Sequence, residues 1–188
     1  MTPRPHEFPA VHLLPALAAA IPVLRSGRLV LRAPRLDDFD ALADLCASPR
    51  AAGMGGPLSR ADAWGEFMQM CATWVLRGHG WWTVTEAEAV AGFVGIGFEP
   101  GDREPELGWM LVDGAEGRGL ATEAALLARD WARAAGLPAL VSYIDTGNPR
   151  SAAVAARLGA SRDAAAEAAL ADEAPGTQVW RHPMGALQ

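Results

Sequence analysis

Lysine is absent from this chain of 188 residues, so all sixteen of its basic residues are arginines. Acidic residues outnumber them at twenty-two, and the formal net charge at pH 7 is −6. A nucleic-acid-binding domain neutralises phosphates with clustered lysines and arginines, and this charge balance argues against one. Hydrophobic residues make up 51% of the chain, which also excludes an acidic disordered protein. We therefore expect a globular protein that does not bind nucleic acid.

Cysteine and histidine are also scarce. The two cysteines, Cys46 and Cys71, fall in separate predicted helices without a Cys-x-x-Cys spacing, so neither a disulfide framework nor a zinc site is supported. The four histidines are scattered and have no metal-ligand spacing. They are His6, His12, His79 and His182. We expect no bound metal and two free thiols.

No hydrophobic run is long enough to span a membrane, and we expect no membrane partner. Residues 10–24 are apolar and have two features of a signal peptide, a preceding arginine and a run of alanines. Pro15 and Pro22 are unfavourable in such a segment, and we favour an N-terminal extension that packs as a short helix. Because the chain length suits one domain with its own core, we assign residues 1–24 to the extension and residues 25–185 to a single domain.

Residues 104–124 contain a strand pattern, a glycine-rich turn and a helix pattern in direct succession. Apolar residues alternate before the turn, which predicts a strand, and recur at helical spacing from Leu120 onward. Gly114, Gly117 and Gly119 lie between them and let successive backbone N–H groups turn to one side, beside the unpaired donors of the helix N-terminus. The segment is predicted to bind a pyrophosphate, and an ordinary strand-to-helix turn is the alternative.

Strand and helix patterns interleave along the rest of the chain without repeats, which indicates a mixed α/β sheet. The predicted strands are residues 28–32, 81–86, 90–98, 106–112, 140–145 and 177–182. The predicted helices are residues 37–46, 60–77, 120–135 and 149–158, and the alanine-rich residues 164–174 are predicted as helical or disordered. The second and third strands are expected to pair as an antiparallel hairpin.

The predicted helix at residues 60–77 carries large apolar side chains along one side, and we expect most of them in the core. They are Trp64, Phe67, Met68, Cys71, Trp74 and Val75. Residues 48–57, just before this helix, concentrate proline and glycine, which predicts a loop. We expect this loop to face a substrate.

Three ordered sequence blocks resemble one known family. They are Gly-Arg-Gly-Leu-Ala-Thr-Glu-Ala at residues 117–124, Asn-Pro-Arg-Ser at residues 148–151 and Arg-Leu-Gly at residues 157–159. Together they resemble the GNAT superfamily of acyl-CoA-dependent N-acetyltransferases, and most of all its RimJ/RimL-type branch. The resemblance implies a GNAT-like mixed, mostly antiparallel central sheet of about six to seven strands flanked by helices. It also implies acetyl-CoA as co-substrate and, because this is a cytosolic metabolite, a cytoplasmic location.

Three positions depart from the family pattern. Glu116 stands where Gln or Arg is commonest, so the pyrophosphate loses a side-chain contact but keeps the backbone ones. Ala155 stands where many members have the tyrosine that protonates the departing thiolate, and Ala160 replaces the usual phenylalanine after Leu-Gly. The general acid must therefore be sought elsewhere.

The resemblance assigns acetyl-CoA binding to the strand end, the glycine loop and the next motif. The candidate residues are Met110, Leu111, Val112, Gly117, Arg118, Gly119, Leu120, Ala121, Thr122 and Asn148. A backbone N–H near Met110 or Leu111 would polarise the thioester oxygen, and the same strand edge would pair with pantetheine. The amides of residues 117–122 would bind the pyrophosphate, with Arg118 as a charge-assisted contact.

Acetyl transfer to an amine needs a base, because an α-amine titrates near ~8 and a lysine amine near ~10.4 and each arrives mostly as ammonium. Glu106 is our candidate, since alternation puts it on one strand face with Gly108, whose missing side chain leaves room beside it. Many relatives use a strand glutamate at this place. Glu104 and Glu99 are alternative bases, and a solvated strand-end carboxylate is the alternative interpretation of Glu106.

The candidate general acid is Ser151, a hydroxyl on the predicted helix three residues after Asn148. Tyr143, the only tyrosine of the chain, is the second choice. Each also has a simpler interpretation. Ser151 would then be a cofactor contact or a surface hydroxyl, and Tyr143 a strand residue of the core.

These assignments predict an N-acetyltransferase that moves an acetyl group from acetyl-CoA to a primary amine by direct attack in a ternary complex. The acceptor would be a protein N-terminus or a small-molecule amine, and a homodimer is left open. Two alternatives are a non-catalytic acyl-CoA sensor, which binds acetyl-CoA without releasing CoA to an amine, and a structural α/β protein without a ligand.

Overall fold

A central β-sheet organises the protein, whose computed structural model describes residues 13–99 and 101–185. Within those residues the strands are β1 Leu24–Arg25, β2 Leu29–Arg32, β3 Trp81–Glu86, β4 Ala89–Gly97, β5 Glu106–Leu111, β6 Val141–Asp145, β7 Ser161–Arg162 and β8 Thr177–Arg181. They form one eight-stranded sheet in the order β1-β2-β3-β4-β5-β6-β8-β7. Neighbouring strands pair antiparallel except β5 and β6, which pair parallel. The mostly antiparallel α/β fold is therefore confirmed.

Two strands of the sheet were not predicted from the sequence. β1 and β7 have two residues each, which is too short to display the period of two that identifies a strand. They extend the sheet at its two edges, so the described part of the chain has eight strands where six to seven were expected.

Helices cover both faces of the sheet. They are α1 Leu13–Ala20, α2 Phe39–Ala47, α3 Arg60–Arg77, α4 Leu120–Ala134, α5 Pro149–Arg157 and α6 Ala164–Leu170. Three of them begin at a side-chain cap. Ser59 Oγ accepts a hydrogen bond from the Asp62 N–H, Asn148 Oδ1 accepts one from the Ser151 N–H, and Asp163 Oδ1 accepts one from the Ala166 N–H. Among the described residues, no helix has the length and apolar content that crossing a bilayer requires.

The predicted N-terminal extension is described only from its helix α1 onward, and residues 1–12 lie outside the described part. After α1 the chain is attached to the sheet. The Trp82 indole N–H donates to the Pro22 carbonyl at 2.8 Å, and β1 pairs with β2.

Helix α4 packs against one face of the sheet through a row of buried alanines, which are Ala124, Ala125, Ala128 and Ala132. Side chains this small let the helix approach the strands closely. Three tryptophans pack edge to face beside it. Trp82 lies 4.7 Å from Trp74 and 5.2 Å from Trp131 between ring centroids.

Helices α2 and α3 cover the opposite face, around Phe93 of β4. The apolar side of α3 was partly predicted wrongly. Its buried residues are Ala63, Phe67 and Met70, which follow one helical stripe. Three others that were expected in the core lie off this stripe and are exposed, namely Trp64 at 38%, Met68 at 49% and Val75 at 64%.

Strands β5 and β6 meet at one end and then separate. Their pairing consists of the register Glu106–Val141. Next to it, side chains replace the backbone ladder. The Tyr143 N–H donates to Glu106 Oε1 at 3.3 Å, and the Ser142 hydroxyl donates to the Leu107 carbonyl at 2.5 Å. The remainder of β5 therefore presents a backbone edge to a gap.

Candidate active site

Strand alternation decides which β5 amides face the gap. The Val112 N–H donates to the Ala91 carbonyl of β4 at 3.0 Å, and Met110 pairs with Phe93 in the same register. The backbone N–H and C=O groups of Val112 and Met110 therefore point toward β4. The Leu111 carbonyl accepts from a side chain on the opposite side of the strand. The amides of Trp109 and Leu111 consequently point into the gap. Of the strand residues predicted to contact acetyl-CoA, Leu111 therefore directs its amide into the gap, whereas Met110 and Val112 direct theirs toward β4. The Trp109 amide, which the sequence analysis did not name, also faces the gap.

The glycine loop ends where α4 begins. Gly114, Gly117 and Gly119 have φ angles of +79°, +71° and +78°, a left-handed conformation that side chains with a Cβ rarely adopt. Gly119 is the N-cap residue of α4, so the first-turn amides of Leu120 and Ala121 follow it directly. The loop thus has the backbone form of an anion-binding turn.

Arg118, which was predicted to contact the pyrophosphate, forms an ion pair in this structure. Its guanidinium pairs with Glu86 at 2.6 Å, at the end of β3. Its carbonyl accepts a hydrogen bond from Arg28 at 3.0 Å, and Arg28 in turn pairs with Glu123 of α4. In this structure Arg118 therefore links the loop to β2 and β3.

Two other arginines, which the sequence analysis missed, lie at the loop. Arg50 and Arg150 both pair with Glu116, the residue immediately before Gly117. Arg50 also donates to the Leu111 carbonyl at 2.9 Å. We call Arg50, Glu116 and Arg150 the arginine cluster. Nothing in the sequence marked Arg50, because it lies in a proline- and glycine-rich segment 66 residues before Glu116.

The segment predicted as a substrate-facing loop is partly helical. Residues Pro49–Met54 form a 3₁₀ helix, which sequence patterns with helical periodicity miss because it has fewer than two α-turns. This helix lies against the start of α5, since a Cβ added at Gly53 would be 3.1 Å from Asn148 Nδ2. Through Arg50 and Gly53 it contacts the predicted cofactor residues Leu111 and Asn148.

Glu106 occupies the point where β5 and β6 separate. Its pKa is raised to about 7, chiefly because burial disfavours the charged form, and the nearby charges of Asp102 and Glu99 act in the same direction. The hydrogen bond from the Tyr143 N–H opposes this shift in part. Among the described residues no arginine pairs with Glu106, so its carboxyl is available to exchange a proton near neutral pH.

The room expected beside Glu106 is filled. A Cβ added at Gly108 would be 2.6 Å from Cη2 of Trp81, and one added at Gly95 would be 2.5 Å from the Trp81 ring. The two glycines therefore seat the Trp81 indole flat on β4 and β5. The Trp81 ring fills the space that the absence of a Gly108 side chain leaves, so no open room remains there.

The two alternative bases differ in their surroundings. Glu104 accepts two hydrogen bonds of 2.7 Å from Arg181, and this ion pair lowers its pKa, so Glu104 stays ionised and engaged. Glu99 accepts a hydrogen bond from Gln69 at 2.7 Å, and burial raises its pKa. Of the two, only Glu99 has, like Glu106, a pKa that burial raises.

A cleft of about 440 Å³, counting space open to solvent, lies between α2, α3 and the sheet face that carries Glu106. Its apolar walls include Met70, Trp81 and Met110. Its polar lining consists of Glu66, Gln69 and Glu99. Because the Glu99 charge also acts on Glu106, the acidic end of this α2–α3 cleft adjoins the candidate base.

The candidate acids lie on different sides of the sheet. Ser151 is half-buried in the first turn of α5, near Asn148 and the arginine cluster. Tyr143 packs with Val141, Leu170 and Val179 on the face that α6 covers, and burial raises the pKa of its hydroxyl. Ala155, which has no hydroxyl, is fully buried in the core next to Ile144 and Ala160.

Known proteins share the sequence profile and the fold of this chain. The sequence profile of the acetyltransferase (GNAT) domain matches residues 28–161. An acetyltransferase from Agrobacterium tumefaciens str. C58 is 43% identical over 87% of this chain and 95% of that one, with a TM-score of 0.79.

Two more distant structures share the fold. RimL, the ribosomal L7/L12 alpha-N-protein acetyltransferase, is 18% identical over 86% of this chain and 93% of its own, with a TM-score of 0.65. The microcin C7 self-immunity acetyltransferase MccE, solved with acetyl-CoA and AMP, is 15% identical over 83% and 92%, with a TM-score of 0.63. Given the profile match and the close relative, this chain belongs to the GNAT acetyltransferase family.

Proposed function

We propose that this protein is an N-acetyltransferase that moves the acetyl group of acetyl-CoA to a primary amine by direct attack in a ternary complex. The observation that carries the proposal is Glu106, a half-buried carboxyl with a pKa of about 7 at the point where β5 and β6 separate. Such a carboxyl is about half ionised at neutral pH and accepts a proton from an ammonium group. The acetyl-CoA bound to MccE supports the choice of co-substrate.

The residues present fit acetyl-CoA, which supplies an acetyl group activated as a thioester. The left-handed glycines and the first-turn amides from Leu120 to Thr122 suit a pyrophosphate. The amides of Trp109 and Leu111 face the gap between the strands and would donate to the thioester oxygen, where negative charge develops during attack. Asn148 caps α5 and thereby sets the position of the Ser151 hydroxyl.

Proton movement is assigned to two side chains. Glu106 takes a proton from the acceptor ammonium, directly or through water, so that a neutral amine attacks. Ser151 is proposed to donate to the departing thiolate, because Ala155 is sealed in the core and Tyr143 faces α6. Replacing Ser151 with alanine should lower turnover at every pH, with a smaller loss for acyl donors whose leaving thiol is more acidic.

The α2–α3 cleft is proposed to hold the acceptor. Its apolar walls and its acidic end, formed by Glu66 and Glu99, favour a cationic amine without a carboxylate close to the reacting nitrogen. Protein N-termini and small amines both remain within this class. The RimJ/RimL-type branch is likewise part of the proposal, supported by the sequence blocks at residues 117–124 and 148–151.

An acceptor screen tests the proposal. The purified protein is incubated with acetyl-CoA and a panel of amines, and release of free thiol is measured. We expect amine-dependent thiol release together with an acetylated amine detected by mass spectrometry. The buried alanine at position 155 fits an acyl-CoA sensor as the second candidate, and that function would give acetyl-CoA binding without thiol release for any amine.

A further inference from the structure

The arginine cluster joins three segments that are distant in the sequence. Arg50 comes from the 3₁₀ helix Pro49–Met54, Glu116 from the glycine loop and Arg150 from the first turn of α5. Both guanidinium groups contact the same carboxylate, one at each oxygen. Their convergence on one residue places two positive charges beside the Gly117 amide.

The charges within the cluster do not balance. One carboxylate pairs with two arginines, and the next acidic group, Asp113, is 3.8 Å from Arg50 with its own side chain fully exposed to solvent. Glu116 and Arg50 keep only 30% and 31% of their side-chain surface accessible, while Arg150 is 68% exposed. The site therefore holds more positive charge than its single well-placed anion offsets.

Three other arginines around the loop have partners of their own, and one of them, Arg157, donates to the Thr122 hydroxyl at 3.2 Å. Arg118 pairs with Glu86, and Arg28 pairs with Glu123. Arg50 and Arg150 differ because they share a partner that itself belongs to the anion-binding loop. They are thus the two cations whose shared carboxylate directly precedes the Gly117 amide, and a phosphate arriving there would compete for both of them.

We propose that Arg50 and Arg150 bind the phosphate groups of CoA, and that Glu116 holds the two guanidinium groups in place as an internal substitute for that phosphate. The proposal rests on the proposed function, because it takes acetyl-CoA as the ligand of the loop. Guanidinium groups suit phosphate oxygens through paired charge-assisted hydrogen bonds. The cluster would supply the side-chain contact to phosphate that Gln or Arg commonly provides at the position of Glu116.

Binding of the phosphate has a second consequence. Arg50 occupies the Leu111 carbonyl at the edge of the gap, where the pantetheine arm is expected. When Arg50 turns to a phosphate, it releases the Leu111 carbonyl. The same movement therefore brings a positive charge to the phosphate and frees the edge of β5 for pantetheine. Glu116 would oppose that movement, and its removal should help CoA to bind.

The test compares CoA affinity by calorimetry in the wild type and in Arg50→Ala, Arg150→Ala and Glu116→Gln variants, at low and high ionic strength. Arg60→Ala serves as the control, because Arg60 is an exposed arginine that pairs with Asp40 away from the loop. We expect each cluster arginine variant to weaken binding about tenfold at low salt and less at high salt. Glu116→Gln should bind CoA several-fold more tightly, and Arg60→Ala should match the wild type.

Shortened ligands identify the phosphate. Losses that persist with dephospho-CoA assign the arginines to the pyrophosphate, and losses that vanish assign them to the 3′-phosphate, and either result supports the proposal. Acetyl-pantetheine has the same thioester without those phosphates, so Arg150→Ala should use it as well as the wild type does.

The inference and the proposed function fail in different ways. If the wild type binds CoA and releases thiol but the cluster variants behave like Arg60→Ala, or if Glu116→Gln weakens binding, the inference is wrong and the function stands. If the wild type does not bind CoA, both are overturned. Circular dichroism and thermal melts of each variant separate a binding loss from unfolding, and the tightening expected for Glu116→Gln cannot result from a damaged fold.

Discussion

Glu106 shows how the surroundings of one residue prepare it for chemistry. An exposed glutamate titrates near 4.5, but burial raises the pKa of Glu106 to about 7, while an arginine lowers the pKa of Glu104 two residues earlier. The two carboxyls have the same covalent structure and opposite shifts. The base that the sequence suggested from strand alternation is thus supported by an environment that alternation alone does not reveal.

The pH dependence of turnover should follow this pKa. The wild-type kcat/KM should rise through about pH 7 as Glu106 ionises, and Glu106→Gln should lack that rise. The two proteins should differ most, by about 10²-fold, between pH 7 and the pKa of the acceptor amine. Below this range Glu106 is protonated in the wild type, and above it the amine is already neutral.

Acetyl-CoA affinity provides the control for that experiment, because Glu106 faces the amine side and should leave it unchanged. A Glu106→Gln profile that keeps the wild-type rise would contradict Glu106 as the base, and Glu99, whose pKa burial also raises, would be the next candidate.

The same pKa shift predicts a trade between activity and stability. Between pH 4.5 and about 7 the folded protein binds a proton at Glu106 that the unfolded chain has lost, so this carboxyl makes the protein less stable as pH rises through that window. A glutamine at this position cannot ionise, so Glu106→Gln removes this loss of stability. We expect the variant to be about 1–3 kcal/mol more stable than the wild type at pH 8 and similar to it at pH 4, as measured by urea unfolding. Equal stability at pH 8 would contradict the raised pKa.

Sequence patterns located the candidate base and the loop but missed contacts between distant segments. Nothing local links Arg50 to Glu116, and the wall formed by Trp81 on Gly95 and Gly108 requires the pairing of three strands. Such contacts depend on the tertiary fold, and no periodicity within one segment contains them.

Among the elements, α4 offers a matched test of the glycine loop. Gly119 precedes the helix with φ +78°, and Gly136 follows it with φ +84°. A Cβ added at Gly119 would make only an ordinary contact of 3.8 Å, with the Arg28 side chain, and one added at Gly136 would have no neighbour within 4 Å. Valine at either position should cost about 1–2 kcal/mol of stability through the same backbone strain. Only Gly119→Val should also lose acetyl-CoA affinity, severely, as measured by calorimetry on the folded proteins. Equal affinity in the two variants would remove the loop from the binding site.

The accuracy of the element predictions follows from their length. The helices with a full amphipathic period and a readable cap, such as α3 after Ser59 and α5 after Asn148, begin where the sequence placed them. Two-residue strands and the 3₁₀ helix Pro49–Met54 contain fewer than two full repeats of their period, so they were missed. No periodicity signals the separation of β5 from β6, and only the family resemblance implied it, through the free strand edge expected to pair with pantetheine. In the structure, hydrogen bonds of Glu106 and Ser142 lie at the point of separation.

Across the whole molecule, the proposed reactants meet groups of opposite charge. Arg50 and Arg150 adjoin the loop where an anionic co-substrate would bind, while Glu66, Glu99 and Glu106 lie in or beside the α2–α3 cleft. Among the described residues no arginine pairs with these three glutamates. The strand β5 connects the two regions, with Glu106 at its start and Leu111 at its end.

This charge arrangement predicts how the enzyme ranks acceptors of equal length. Diaminobutane, butylamine and aminobutyrate differ only in a terminal group that is positive, neutral or negative. We expect kcat/KM to fall in that order, because the cleft attracts a second cation and repels a carboxylate. The ranking should flatten at high salt, since part of the cleft is open to solvent.

A Glu99→Gln variant makes the prediction specific to the cleft. It should narrow the ratio of kcat/KM between diaminobutane and aminobutyrate several-fold, about 1 kcal/mol of discrimination for one charge near the surface. Glu173→Gln is the control, because Glu173 is exposed and pairs with Arg103 outside the cleft, so its ratio should stay at the wild-type value. Removing the Glu99 charge also lowers the pKa of Glu106, but this change acts on all three acceptors alike and cancels in the ratio. A preference for aminobutyrate, or an unchanged ratio in Glu99→Gln, would show that the acceptor does not bind along the acidic end of the cleft.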